Sequence, residues 1–122
     1  ADIYVVAHAT APFMKKETIE KAINKVISNK YDSAFIALKH QTFSWYDNSP
    51  INFKKGFTPR TQEIKPIFTD TNSVYVFTSE VADKFNSRLG ENPFIQECSY
   101  IESIDIDTKE DFDFAQLVSK SM

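Results

Sequence analysis

Asp105 and Asp107 alternate with Ile104 and Ile106 in the stretch Ser103-Ile104-Asp105-Ile106-Asp107. Alternation of apolar and polar residues predicts a strand with one buried face. The isoleucines then point one way and the two aspartates the other, about 6.6 Å apart along the strand. Carboxylates at that spacing can lean toward one cation. A hard ion such as magnesium takes oxygen ligands and keeps waters or substrate phosphates in the rest of its shell. Thr108 follows as an N-cap, with Asp111 placed as the second member of a capping box. The pair is therefore expected at a strand end, beside the N-terminus of a helix. The same letters also fit an ordinary half-exposed strand and an acidic first helical turn, which the helix dipole favours without any metal.

Two further side chains could do chemistry. His8 opens the turn His8-Ala9-Thr10-Ala11-Pro12-Phe13, directly after the apolar run Asp2–Ala7. Loops at the C-terminal ends of strands are where open α/β sheets bind ligands, so His8 can face a substrate; a histidine bonded to backbone at a strand end reads the same way. It is the one candidate general base by position. Arg60 carries a planar fork that matches a carboxylate.

The elements that must position these residues follow from periodicity. Asp2–Ala7 reads as a strand buried on both faces of a parallel sheet. Lys15–Ser28 places Ile19, Ala22, Ile23, Val26 and Ile27 on one helical stripe, with Asn29 to close it. Asp32–Lys39 is the next strand, completing a βαβ unit with a right-handed crossover. Ser73–Thr78 is a third strand, and Thr78 or Ser79 caps a short helix through Asn86, with Gly90 near the C′ position. Pro93–Cys98 is a further strand, and the last helix runs from Thr108 to about Ser119.

Residues 40–68 differ: Phe43, Trp45, Tyr46, Phe53, Phe57 and Phe68 are interleaved with Pro50, Pro59 and Pro66. Prolines at that density exclude a regular helix, so strand pieces and long loops are expected. Aromatics with scattered cations suit an interface, and equally a hairpin packed on its own domain.

Composition bounds the rest. The 122 residues are 42% hydrophobic and 25% charged, enough for one domain with its own core. A net charge of −3 argues against nucleic acid or an anionic membrane as the main partner. Cys98 is the single cysteine, which excludes an internal disulfide and fits a reducing compartment. No apolar run has the length of a membrane span. The two glycines, Gly56 and Gly90, cannot form a glycine-rich phosphate loop. With no initiator methionine, the chain reads as the C-terminal half of a longer protein.

Taken in order, Tyr31-Asp32-Ser33-Ala34-Phe35, Phe43-Ser44-Trp45-Tyr46, Arg60-Thr61-Gln62-Glu63-Ile64-Lys65-Pro66-Ile67-Phe68, Tyr75 and the stretch from Ser103 to Phe112 resemble the C-terminal half of the acylneuraminate cytidylyltransferases, the CMP-sialic acid synthetases and their relatives acting on other nonulosonic acids. The resemblance implies an α/β, Rossmann-like three-layer nucleotidyltransferase fold with a mainly parallel sheet. It makes residues 1–122 a single partial domain and residues 40–68 an extended dimerisation arm. It implies a cytoplasmic homodimer that transfers CMP from CTP to a nonulosonic sugar acid, releasing pyrophosphate. Asp105 and Asp107 would be the catalytic carboxylates holding Mg2+. His8, Arg60, Gln62, Thr71, Tyr75 and Phe94 would line the sugar-acid site, with Arg60 on the acid's carboxylate, across the dimer.

Two departures fall on sugar-contacting positions. His8-Ala9-Thr10-Ala11-Pro12 stands where the family has Gln-Pro-Thr-Ser-Pro, and Thr71-Asn72 where it often has Asn-Gly. The family's glycine-rich nucleotide segment does not occur in these residues. An alternative reading is a non-catalytic module of the same fold that binds a sugar acid or a partner.

Overall fold

The computed structural model describes residues 2–122. In chain order its elements are β1 (Ile3–Ala7), α1 (Lys16–Ile27), β2 (Ser33–His40), two short strands β3 (Trp45–Tyr46) and β4 (Ser49–Pro50), a 3-10 turn (Thr61–Glu63), β5 (Ile67–Thr78), α2 (Ser79–Phe85), β6 (Pro93–Cys98) and α3 (Lys109–Ser121). The chain divides into two compact units, a body of Ala1–Leu38 with Asp70–Met122 and an arm of Lys39–Thr69.

The body's sheet has the order β1-β5-β2-β6. It is mixed rather than mainly parallel. β1 pairs antiparallel with β5, Val6 opposite Tyr75, while β2 and β6 run parallel, Ala34 opposite Phe94. β5 also runs against β2: its end bonds to the start of β2 (Thr78 N to Asp32 O), and Thr71 near its middle bonds to Ile36. β1, α1 and β2 therefore form a crossover unit whose two strands are not neighbours. The chain leaves the sheet after β2 and returns between them as β5, in the opposite sense.

That insertion also changes β1. Among the described residues β5 is the one strand partner of β1, so β1 is an edge strand here, and Tyr4 and Val5 are 47% and 43% exposed. The expectation of a strand covered on both faces is corrected accordingly.

α1 lays Ala22 and Val26 on Ala34 and Ile36 of β2 and Val74 and Val76 of β5, with Cys98 at the end of β6. Burying such aliphatic side chains stabilises by about 1.5–3 kcal/mol each. Ile19 and Ile23 pack at the margin of this cluster, but Ile27, expected on the same stripe, is 60% exposed at the last helical position. Asn29, at φ 66°, takes the left-handed turn that closes the helix.

The opposite end of α1 has no local cap: Lys15 occupies the N-cap position and supplies no side-chain bond. Glu102 does so instead. Its Oε2 accepts from Lys15 N at 3.1 Å and Thr18 Oγ1 at 2.5 Å, and its Oε1 accepts from Ser99 N and Oγ at 3.1 and 3.0 Å. Free N–H groups at a helix N-terminus favour such an anion.

α2 is capped by Thr78, whose side chain accepts from Val81 N at 3.3 Å. It is closed by Asn86 in the left-handed region at φ 49°, not by Gly90. Gly90 has another task. A Cβ there would lie 2.3 Å from Asp32 Oδ2, and that carboxylate is held by the N–H groups of Glu91 and Asn92 and by the Ser33 hydroxyl.

Within the arm, β3 and β4 form a hairpin with Trp45 opposite Pro50. Phe53 meets Phe43 and Trp45 edge-on, with ring centroids 5.1 and 5.6 Å apart. Asn52 is buried and bonds the backbone of Thr42, Ser44 and Lys65, which fastens the hairpin to the returning chain. No helix among the described residues is long and apolar enough to cross a membrane.

Candidate active site

β1 delivers the chain into the loop of His8. The His8 N–H donates to Ser73 O at 2.8 Å, fixing the loop against β5. Upstream in β5, Asp70 accepts from Asn72 N at 2.8 Å, and Asn72 adopts φ 55°, a left-handed conformation that asparagine tolerates and most residues avoid. Asn72 thus meets a backbone demand that glycine would otherwise meet.

Tyr75, 7% exposed, donates to Asp70 Oδ2 at 2.8 Å, with Asn72 Oδ1 3.1 Å from the same hydroxyl. Burial, and then the hydrogen bond and charge of Asp70, push the phenol up to about 12, against the opposing pull of Arg88. Arg88 follows the turn at Asn86. Its Nη1 lies 3.0 Å from His8 Nε2, and its guanidinium carbon sits 5.4 Å from the centre of the Tyr75 ring. A cavity of about 560 Å³ opens here, lined by Asp70, Tyr75, Phe77, Asn86, Arg88 and Leu89 among others.

The aspartate pair is near this loop, but not on a strand. Ser103 N bonds back to Ser99 and Tyr100, and Ile104 N to Ile101, so the residues before Asp105 form a turn and those through Asp107 are irregular. The bonds from Ser99 to Glu102 impose that turn, and alternation in the sequence could not register them. Ile104 is buried, and Ile106 N donates to Thr10 O at 2.9 Å, which joins the aspartates to the loop after β1.

The two carboxyl groups still meet. A hydrogen bond to Asp105 and the charge of Asp105 raise Asp107 above its ordinary value, with Asp111 adding to the effect. Asp111 itself is committed to the capping box of α3. Its carboxylate accepts from the N–H groups of Asp107 and Thr108, which hold it below the usual range. Among the described residues no group of three His, Cys, Asp or Glu side chains could hold a metal ion. The donor set is two hard carboxylates that repel each other when both are charged. That fits Mg2+ bound by Asp105 and Asp107, with its other positions left to water or phosphate oxygens.

Glu102 stands three residues before this pair, in the turn. Burial raises its carboxyl, but the bonds from Thr18, Ser99 and Lys15 outweigh burial, and it stays below its ordinary value. Cys98 is pushed up to about 11 by burial and then by Glu102 and Glu97, so it is a poor nucleophile.

The structure brings together His8, Tyr75 and the neighbours Asp70 and Arg88. It separates other residues predicted for the acceptor site. Phe94 packs at the margin of the α1 core, its ring 4.9 Å from Tyr31 and under Lys25, because β6 turns that position toward α1. Thr71 Oγ1 donates to Ile36 O at 2.7 Å and shares a 2.6 Å bond with Ser73, so its hydroxyl is used inside the sheet. Arg60 and Gln62 lie exposed on the arm, Arg60 as N-cap residue of the 3-10 turn. Sequence reasoning missed Asp70, Arg88 and Glu102. The only signal for Arg88 was its place between Asn86 and Gly90, which reads as a helix end.

No family model matches the chain, and no curated protein matches it in sequence. Its α/β fold is nevertheless found among solved structures. The chain is similar in structure to a 4-diphosphocytidyl-2C-methyl-D-erythritol synthase from Anaerococcus prevotii, with a TM-score of 0.66 at 16% identity over 98% of this chain. The chain spans 59% of the length of that protein.

Proposed function

We propose that this chain supplies the metal-binding and acceptor part of a cytidylyltransferase that uses CTP to activate a nonulosonic, sialic-type sugar acid, giving the CMP-sugar and pyrophosphate. The observation that carries the reading is the Asp105–Asp107 pair, tied through Ile106 and Thr10 to the loop whose His8 bonds Arg88 at the Tyr75 cavity. The fold likeness supports nucleotidyl transfer from CTP. The sugar-acid class rests on the ordered resemblance of the Arg60–Phe68 and Ser103–Phe112 stretches.

In this reading Asp105 and Asp107 hold Mg2+, which when bound neutralises phosphate charge as the phosphoryl bond exchanges. Tyr75 stays protonated at neutral pH and keeps Asp70 in place at the wall of the acceptor pocket. His8 holds Arg88 at that pocket. Arg60 serves the acid's carboxylate across the dimer, and the arm's exposed Tyr46 and Phe57 form the contact of that homodimer.

The test is magnesium-dependent pyrophosphate release by the protein that contains this chain, given CTP and a panel of nonulosonic acids, with Asp107→Asn as control. Release requiring CTP, one acid and Asp107 supports the reading. Binding of an acid without CTP turnover supports a binding module instead.

A further inference from the structure

The cavity beside Tyr75 is lined by one carboxylate and one guanidinium. The Asp70 carboxylate takes the Tyr75 hydroxyl and the Asn72 N–H. Arg88 is the only cation among the residues that line the cavity. Among the described residues the ion pairs are Lys16–Glu20 and Lys109–Asp113, so Arg88 has no carboxylate partner. Its one side-chain hydrogen bond is with His8 Nε2 at 3.0 Å. A guanidinium carries five N–H donors and no acceptor. It follows that Nε2 is the acceptor in this bond, that the imidazole proton sits on Nδ1, and that the other guanidinium donors have no protein side-chain acceptor.

An exposed arginine without a partner would ordinarily wander. Here it is held from two sides: His8 accepts one N–H, and the Tyr75 ring lies 5.4 Å beneath the guanidinium carbon, a cation–π distance. His8 is in turn fixed through its backbone bond to Ser73. A planar fork held in this way is arranged to take two oxygens of an anion side by side.

We propose that Arg88 reads the anionic group of the acceptor, so that this pocket selects a polyhydroxylated acid or phosphate, with hydroxyls toward Asp70 and the oxyanion on Arg88. His8 is a positioning residue for Arg88. The inference rests on the reading of this cavity as the acceptor site. It gives the body its own cation for that group, in addition to Arg60 on the arm.

The experiment is equilibrium binding to the chain of N-acetylneuraminate, its methyl ester, glycerol 3-phosphate and inorganic phosphate. It is followed by calorimetry and by the imidazole ¹⁵N resonances of His8, for wild type, Arg88→Ala and Arg88→Lys. Arg88 is exposed, so both variants keep the fold. At least one anionic probe should bind with a shift of the His8 resonances. Arg88→Ala should weaken it about tenfold or more, and Arg88→Lys, which keeps charge and loses the fork, by less. Preference for neuraminate over its ester and over glycerol 3-phosphate identifies a carboxylate; the reverse order identifies a phosphate. Equal binding by wild type and Arg88→Ala, or equal binding of acid and ester with no binding of phosphates, overturns the proposal. So does the absence of binding by every anionic probe at millimolar concentration. CTP-dependent turnover that survives Arg88→Ala unchanged would sink this inference alone, whereas Arg88-dependent binding without CTP turnover would sink the catalytic reading alone.

Discussion

Thr18 on α1 and Glu102 in the turn before the aspartates are joined by a 2.5 Å hydrogen bond across a sequence separation of 84 residues. With the bonds from Lys15 and Ser99, it makes one buried carboxylate both the N-cap of α1 and the anchor of the segment that presents Asp105 and Asp107. Glu102→Gln should lower stability at pH 7 by about 1.5–3 kcal/mol, the scale of hydrogen bonds to a charged group. The Glu102 carboxyl lies lower in the folded chain than in the unfolded one. Its contribution is therefore present above the ordinary carboxyl value of 4.5 and is lost as pH falls through the folded value. Urea unfolding of both proteins at neutral and acid pH checks this: the gap should close in acid, and a pH-independent gap would contradict it.

The Asp105–Asp107 pair predicts an opposite sign. Asp107 titrates above its ordinary value because its protonated form is hydrogen-bonded to Asp105 and Asp105 opposes its charge, so the pair costs stability once ionised and the cost disappears as the pH is lowered. Asp107→Asn should leave thermal stability unchanged or slightly higher while abolishing magnesium-dependent turnover. Adding Mg2+ to the wild type should move the Asp107 carboxyl resonance titration downward. An unmoved titration would remove the pair from metal binding.

Tyr75 should ionise well above the ordinary tyrosine value, since its phenol is raised to about 12. Between the ordinary value of 10.0 and about 12, the unfolded chain releases a proton that the folded one keeps, so stability falls with rising pH in that window. Tyr75→Phe should cost about 1 kcal/mol at neutral pH and flatten the alkaline loss. Ultraviolet titration with chemical unfolding measures both, and an unchanged alkaline profile in the variant would refute the assignment.

Gly90→Ala should be disruptive although the residue lies outside every helix and strand. The added Cβ would fall 2.3 Å from Asp32 Oδ2, and that carboxylate cannot retreat without giving up its bonds from Glu91 and Asn92. A loss of about 1–3 kcal/mol is expected, largely relieved by pairing the change with Asp32→Ala. Thermal melts of the single and double variants decide it, and additive losses would place the strain elsewhere.

The arm carries Tyr46 at 77% and Phe57 at 59% exposure. If these form the dimer contact, Tyr46→Ser or Phe57→Ser should weaken self-association by about 2 kcal/mol, the size of an interface hot spot. Sedimentation equilibrium provides the measurement, and a monomeric wild type at high concentration would overturn the dimer.

Much of the body was legible in the sequence because it rests on local periodicity. The stripe of Ile19, Ala22, Ile23 and Val26 specifies α1, the β-branched and aromatic run Val74-Tyr75-Val76 specifies a strand, and Thr108 with Asp111 specifies the start of α3. Each signal is a few residues long and is satisfied within its own element.

Only the tertiary structure decided how these pieces meet. Strand order and direction depend on where the chain re-enters after the arm, and this made β1 an exposed edge. Glu102 replaced a local cap for α1 through partners more than eighty residues away, and its bonds from Ser99 made a turn of an apparent strand. The His8–Arg88 contact, 80 residues apart in the chain, exists because β1 and the turn after α2 converge on the Tyr75 end of the sheet. The sequence by itself determined which residues could be helix, strand and ligand. Long-range hydrogen bonds and burial, which carry no periodic signature, determined which of them share a site.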